Sequence, residues 1–502
     1  MNTTRRQFLG GLGAAGFATL AGTLARAQTP GRMAFNPDMV VQMARELAAK
    51  AYKPAPEVPE EWSNLTFDQY RDIRFNAEKP LWTEPGQRFQ LQLLPSGYGY
   101  RRPVLLSLVE NGEAFPLPFR MADFLLGPLA PPLPAIDGVG HSGFRLHTAL
   151  NRFDYADEFM VFHGASYFRG IGRGQTFGLS ARGLAIDTIK PGREEFPDFQ
   201  RFWIETPRPG ASTVRIHALL ESKSITGAFQ FDVTPGEATI VDVRSMLFPR
   251  RDLVEAGIAP LTSMFYFNGI NRPRFDDYRP AAHDSDGLLI ATGSGGRIWR
   301  PLMNNPTFEV SWFADADPRG FGLMQRARDW RDYRDLALAY HARPSLWIEP
   351  QGDWGEGSVV LVEIPVERED VDNIVAFWRP KQPLKAGESY AFDYRMRWGG
   401  EPDAPRLLAT VERTSIGPHH EGGRLIVIDF KPAGFVAAEV EPDIWASAGE
   451  VYYPVVQDNP DTGGVRLFFG LRPGPAKSIE LGATLKHSSV SASETWLYRW
   501  IA

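Results

Sequence analysis

The run SYAFDYRMRW, residues 389–398, decides the fold class because it alternates. Tyr390, Phe392, Tyr394, Met396 and Trp398 fall on one side of an extended chain. Asp393, Arg395 and Arg397 fall on the other, which is the period-two pattern of a strand with one buried face. Residues 89–94 (FQLQLL), 212–219 (STVRIHAL) and 238–243 (ATIVDV) read the same way. Gly, Pro, Asn or Asp breaks the chain about every 8–12 residues, a spacing that predicts an all-β protein, an antiparallel sandwich of many strands. Helical period is confined to three places. Asn36-Pro37 caps residues 38–52, where Val40, Met43, Ala44 and Leu47 form one stripe. Thr66 with Gln69 makes a capping box for a short helix through Tyr70 and Ile73, and residues 329–340 (DWRDYRDLALAY) read as a third helix. Strands do not alternate with long helices, which argues against a doubly wound or barrel α/β architecture. The Gly/Pro-rich stretch 399–405 (GGEPDAP) reads as a linker between a large β-sandwich domain, 28–398, and a smaller one, 406–502. Runs at 407–413, 424–430, 464–471 and 495–501 suit an immunoglobulin-like sandwich in the second.

Composition narrows the chemistry. None of the 502 residues is cysteine, which removes thiolate nucleophiles, disulfides and cysteine-ligated metals. The formal charge is −6 with the basic residues dispersed, so no nucleic-acid footprint is expected. The 33 Phe, 15 Tyr and 13 Trp suit a β-rich core and, for Trp and Tyr, stacking on sugar rings. Residues 1–27 pair Arg5-Arg6 with a short Gly/Ala-rich apolar run and end in Ala25-Arg26-Ala27. That is the form of a twin-arginine export signal bound for a bacterial periplasm, with no membrane insertion after cleavage. Its removal takes the formal charge to −9.

Most motifs dissolve on inspection. Gly138, Gly140 and Gly143 satisfy G-x-G-x-x-G, but a proline-rich loop precedes them and a strand-like run follows, so they read as a turn. No nucleophile elbow is present, and His419-His420 reads as an exposed loop. Residues 284–287 (DSDG) echo a calcium loop without its later glutamate. No motif asks for a cofactor or a metal. Two acidic segments remain. Residues 276–288 crowd Asp276, Asp277, Arg279, His283, Asp284 and Asp286 between Tyr266 on one side and Trp299 on the other. They are either a charged surface turn or the wall of a sugar-gripping cleft. Asp372-Asn373, close after Trp354, opens an apolar strand, where an aspartate is either a turn former or, facing a cleft, an acid.

The chain resembles the periplasmic glucan biosynthesis proteins of the G and D type. The resemblance is carried by Tyr167-Phe168-Arg169, 178–188 (GLSARGLAIDT), 194–199 (EEFPDF), 258–265 (IAPLTSMF) and His283–Asp286. It continues through Trp299-Arg300-Pro301-Leu302, 320–323, 343–347 (RPSLW), 372–377 and 493–498 (SETWLY), covering nearly the whole chain after the signal. The twin-arginine signal resembles the D type. The resemblance implies a mutarotase-like β-sandwich joined to an immunoglobulin-like domain, a cleft for β-1,2-glucan, and a homodimer. It implies an inverting glucanase or transglycosylase, with Asp372 as general acid and Asp284 as general base. Tyr266, His283, Asp286, Trp299, Arg300, Trp347 and Trp354 are expected to contact the substrate. Inversion needs one carboxylic acid on the leaving oxygen and one carboxylate activating the attacking group. The loop 414–423 (TSIGPHHEGG) is shorter than in hydrolytic relatives, which leaves the acceptor open between water and a sugar hydroxyl. The competing expectation is a periplasmic glucan-binding protein without catalysis, which assists maturation or branching of the glucan backbone.

Overall fold

The computed structural model describes residues 31–134 and 137–502; the segment read as an export signal lies outside them. The fold is all-β, as the alternation predicts. Residues 389–398 form the strands Tyr390–Ala391 and Asp393–Gly399, with Tyr394, Met396 and Trp398 inward and Arg395 and Arg397 outward. Asp393–Gly399 pairs antiparallel with Thr239–Pro249 on one side and Ser345–Gln351 on the other, placing Trp398 opposite Thr239 and Leu346.

That strand sits in the middle of a large sheet. On one side of it the sheet continues through Thr239–Pro249, Ile225–Thr234, Val214–Glu221 and Asp198–Glu205. On the other it runs through Ser345–Gln351, Gly320–Met324, Gly287–Ala291 and Arg297–Pro301. A second, 10-stranded sheet lies against it and includes Phe89–Pro95, His141–Thr148, Asp157–His163, Tyr167–Gly170, Ala256–Ser263 and Ile374–Pro380. Phenylalanines join the two layers. Phe144, Phe162 and Phe168 of the second sheet stack in series at 5.1 Å and meet Phe202 and Phe231 of the first edge-on. Each ring removed from water contributes about 1.5–3 kcal/mol, so much of the aromatic excess serves packing.

Part of one face of the second sheet is polar, and the strand registers align its side chains. One cross-strand row reads Gln92, Arg145, Val161, Arg169, then Ser180 and Thr262 beside it. This row is the floor on which the site is built.

Residues 399–405 separate Asp393–Gly399 from Val411–Pro418, the first strand of a smaller sandwich whose core includes Ile426, Leu467, Phe469, Leu481 and Trp496. Hydrogen bonding does not stop there. Thr495–Ile501 pairs parallel with Arg297–Pro301, so the first sheet continues into the C-terminal strands.

The helices depart from expectation in instructive ways. The first is Asp38–Ala48, four residues shorter at its end than 38–52, and buries Val40 and Ala44 against Leu219 and Phe248. The Thr66–Gln69 capping box is present, but its helix stops at Arg71 and Ile73 begins a strand. Residues 329–340 are not an α-helix. They form a 3₁₀ turn at Trp330–Asp332, take positive φ at Arg334 (56°) and Ala339 (46°), and turn again at Tyr340–Ala342. The apolar stripe has nothing to pack against, since Leu336 is 81% exposed, while Tyr333 and Tyr340 are wanted inside.

Candidate functional site

Asp372 is held by its neighbour. Asn373 is fully buried; its amide donates to the carbonyls of Phe265 (2.9 Å) and Ile364 (3.1 Å), and its side-chain oxygen accepts the Phe265 N–H at 2.7 Å. This stitches three chain segments together and leaves Asp372 at the mouth of the strand Ile374–Pro380, facing Arg169 of the polar floor at 3.8 Å. Its side chain keeps 26% of its surface. Asp284 is more enclosed. Its N–H donates to the Met264 carbonyl at 2.8 Å, and its carboxylate forms a close ion pair with the Arg343 guanidinium.

Arg343, paired with Asp284, also feels the charge of Asp372. Burial pushes its pKa down to about 10, the positive charge of Arg169 pushes the same way, and Glu369 and Asp372 oppose them. Its guanidinium lies 4.2 Å from the Tyr340 ring centre, and the Tyr340 hydroxyl donates to Glu369 at 3.1 Å. Asp372, Arg169, Arg343 and Asp284 therefore belong to one charge cluster. Arg279, itself buried, gathers Asp277, Asp335 and Glu369 behind it.

Behind Asp284 runs a second layer. His283 is buried with its ring stacked on Phe265. Gln325 commits its amide N–H groups to the carbonyls of His283 (2.9 Å) and Tyr340 (3.1 Å), so its oxygen faces His283 Nδ1 at 3.0 Å, and that nitrogen donates. His283 Nε2 lies 3.1 Å from Asp286. Burial lowers the His283 pKa, with Asp286 and Gln325 opposing. Gly287 is forced to be glycine here, because an added Cβ would sit 2.4 Å from the Trp299 ring.

The expected site residues divide accordingly. Asp372 and Asp284 share the charge cluster, and His283 and Asp286 lie directly behind it. Tyr266 is at the rim, half-buried, its hydroxyl donating to the Glu367 carbonyl at 3.0 Å. Trp299 is 4% exposed and lies under the Arg326 guanidinium, 3.6 Å from its ring centre, in the wall of a cavity of about 530 Å³ between the two sandwiches. The structure does not bring the other three to the cluster. Trp347 packs over Gly320 in the core shared with the C-terminal strands. Arg300 is buried against Glu363 and Tyr498. Trp354 lies edge-on to Phe392 and Tyr394 between the large sheets. Their hydrophobic surface is used in packing, which sequence position alone did not distinguish from a sugar platform. Arg343 and Glu369 were missed, because nothing local marks them; Arg343 stands 59 positions from Asp284.

The model of the family described as "Periplasmic glucan biosynthesis protein, MdoG" matches residues 35–500. The chain is 45% identical over 472 residues to the "Glucans biosynthesis protein G" of Vibrio cholerae, covering 93% of this chain and 87% of the relative. It is 45% identical to the proteins of that name from Rhodopseudomonas palustris and Bradyrhizobium diazoefficiens, covering 99% of both chains in each case. The chain belongs to the MdoG family of periplasmic glucan biosynthesis proteins. These relatives carry the G name, whereas the D-type reading rests on Arg5-Arg6, outside the described residues. Among the described residues no helix is long and apolar enough to cross a membrane.

Proposed function

We propose that this protein cleaves or transfers β-1,2-glucan chains in the periplasm with inversion, Asp372 protonating the leaving oxygen and Asp284 serving as base. The D-type, twin-arginine-exported reading belongs with this proposal. The observation that carries it is a set of two ion pairs, Asp372 with Arg169 and Asp284 with Arg343, in which Arg343 also feels the charges of Arg169 and Asp372. Asp372 keeps access to solvent and a single long ion pair, as a group that must give up a proton to substrate requires. Asp284 is enclosed, suited to accept a proton relayed through hydroxyls rather than taken directly.

One observation favours the second reading, a glucan-binding protein that assists maturation. The charge of Asp284 is already met by Arg343, which a base would have to leave. Linear β-1,2-glucan incubated with the purified protein and followed by mass analysis separates the cases. A product lighter by one water than the linear chain of equal length means cyclisation. A ladder of reducing oligomers means hydrolysis. Glucan that binds and emerges unchanged means the catalytic reading is wrong.

A further inference from the structure

Glu494 is fully buried and is a carboxylate with no room for error. Its oxygens accept from Arg297 Nε (2.8 Å), from both terminal nitrogens of Arg326 (2.9 and 2.8 Å) and from the Val411 N–H (2.9 Å). Arg326 also forks onto Glu401 (2.8 and 2.6 Å) and donates to the Val411 carbonyl at 2.5 Å. Glu401 lies in the 399–405 stretch, and Val411 and Glu494 belong to the C-terminal sandwich or its edge, so this network spans the seam of the molecule. Burial alone would lower the Arg326 pKa, but Glu494 and Glu401 outweigh it and the net shift is upward.

The backbone of the same arginine faces the other way. The N–H groups of Arg326 and Ala327 both donate to one oxygen of Asp286, each at 2.7 Å. On one side Gln325 holds His283 by both its ring and its carbonyl. On the other, Arg328 donates to the Arg343 carbonyl and, at 3.1 Å, to the Ser345 hydroxyl. Residues 325–328 thus form a bracket that touches the turn carrying Asp284 and the backbone of its partner Arg343. One end of the bracket is fastened to the C-terminal strands.

We infer that Arg326 is a positioning residue: through Glu494 and Glu401 it makes the C-terminal sandwich part of the apparatus that holds Asp284 against Arg343. It touches neither Asp284 nor Asp372. The consequence for turnover rests on the proposed catalytic reading; the mechanical coupling does not. Lysine keeps the charge but loses the fork that reaches Glu494, Glu401 and Val411 together.

The test compares Arg326→Lys and Glu494→Gln with Glu221→Gln, which breaks a similarly enclosed ion pair to Arg250 away from the seam. Two readouts are needed in each full-length variant. The first is the ring resonances of His283 in protein labelled at histidine nitrogen, assigned by their loss in His283→Asn. The second is kcat and KM on linear β-1,2-glucan. Both seam variants should shift the His283 resonances and lower kcat about 10–100-fold, the scale of a misplacement near 1 Å, with KM within about twofold. Glu221→Gln should lower the melting temperature and move neither readout. Unmoved His283 resonances in folded seam variants overturn the inference, as does a normal kcat once they have moved. If the wild type leaves the glucan unchanged, the catalytic reading fails, and the His283 signals still decide the coupling.

Discussion

The seam and the cluster around Asp372 are built from the same residue types, arginine against carboxylate, and hold Glu494 and Asp372 in opposite ways. At the seam, Glu494 and Glu401 share the forks of Arg297 and Arg326 at 2.6–2.9 Å, and the Arg326 side chain is 3% exposed. Burial would raise the Glu401 pKa, yet Arg326 and Arg297 more than reverse it, so the net is downward. In the other cluster, Asp372 has one partner at 3.8 Å, and Arg343, pressed by burial and by Arg169, sits at about 10, below the usual arginine range. A carboxylate surrounded by several fixed donors is locked into its charged form. One with a single long contact and part of its surface exposed is open to meet a ligand. Satisfaction of the charge separates the structural carboxylates of the seam from Asp372.

The largest expected effect tests that separation directly. Asp372→Asn removes a transferable proton, and should cut turnover of β-1,2-glucan by about 10²–10⁴-fold. Because its partner is distant and part of its surface is wet, the same substitution should change unfolding free energy by less than about 1 kcal/mol. Chemical denaturation beside a turnover assay reads both. A stability loss as large as that of a seam mutant would place Asp372 among the structural charges.

Glu494→Ala should do the reverse. It strands two enclosed guanidiniums and the Val411 N–H, and breaking a buried pair by removing one partner costs about 3–5 kcal/mol. Urea unfolding measures it, and a loss under about 1 kcal/mol would mean that water replaces the carboxylate.

How much of this contrast was readable beforehand depends on distance along the chain. The alternation at 389–398 is local, and the strand Asp393–Gly399 follows it residue by residue. The capping box at Thr66 and Gln69 is local too, and is present. Residues 329–340 satisfy a helical period on paper, yet the chain there gives up regularity to bury Tyr333 and Tyr340, a demand that arises only from the packed site. Asp284 and Asp372 entered through resemblance to a family. Nothing in the composition separates Arg343 or Arg326 from the other basic residues, because their partners lie 59 and 168 positions away. Trp347 and Trp354 show the same limit: aromatic surface is as useful in a packed core as under a sugar, and sequence alone does not tell the two apart.

Titration offers a smaller, graded test. His163 ends the strand Asp157–His163, stacked 3.7 Å from Tyr100 with Nε2 3.2 Å from the Tyr70 hydroxyl. Burial, with Arg145 and Arg169 adding to it, pushes its pKa down to about 3. Burial likewise lowers His141 to about 4. Both are depressed below the unfolded value of about 6.5, so between these limits the unfolded chain binds the extra protons. Stability should therefore fall as pH drops from about 6.5, by roughly 1.4 kcal/mol per pH unit for each histidine. Asp198 works against them: burial, opposed by Arg102, raises it to about 6, so its contribution is present at low pH and is lost as pH rises from about 4 through 6. His163→Gln should flatten the acid side of a stability-versus-pH curve, and Asp198→Asn should steepen it. A wild-type curve already flat between pH 4 and 6.5 would contradict both.

The smallest effect comes from a pair with seam-like geometry and no seam. Arg395 forks onto Asp242 at 2.7 and 3.1 Å across neighbouring strands of the first sheet, but both side chains are nearly half exposed (47% and 46%). Their charges meet in a two-bond fork like those at the seam, and water is available to replace either partner. If satisfaction alone set the energy, Asp242→Asn would cost as much as a seam mutation. Exposure lets solvent screen the attraction and solvate whichever group is left behind, so the expected loss is about 0.2–1 kcal/mol, shrinking further in 0.5 M salt. Measured beside Glu494→Ala by the same urea titration, the ratio of the two losses isolates what enclosure adds to a good fork. A loss above about 2 kcal/mol at Asp242 would show that the strand pairing itself, rather than the depth of the charges, makes such forks strong in this sheet.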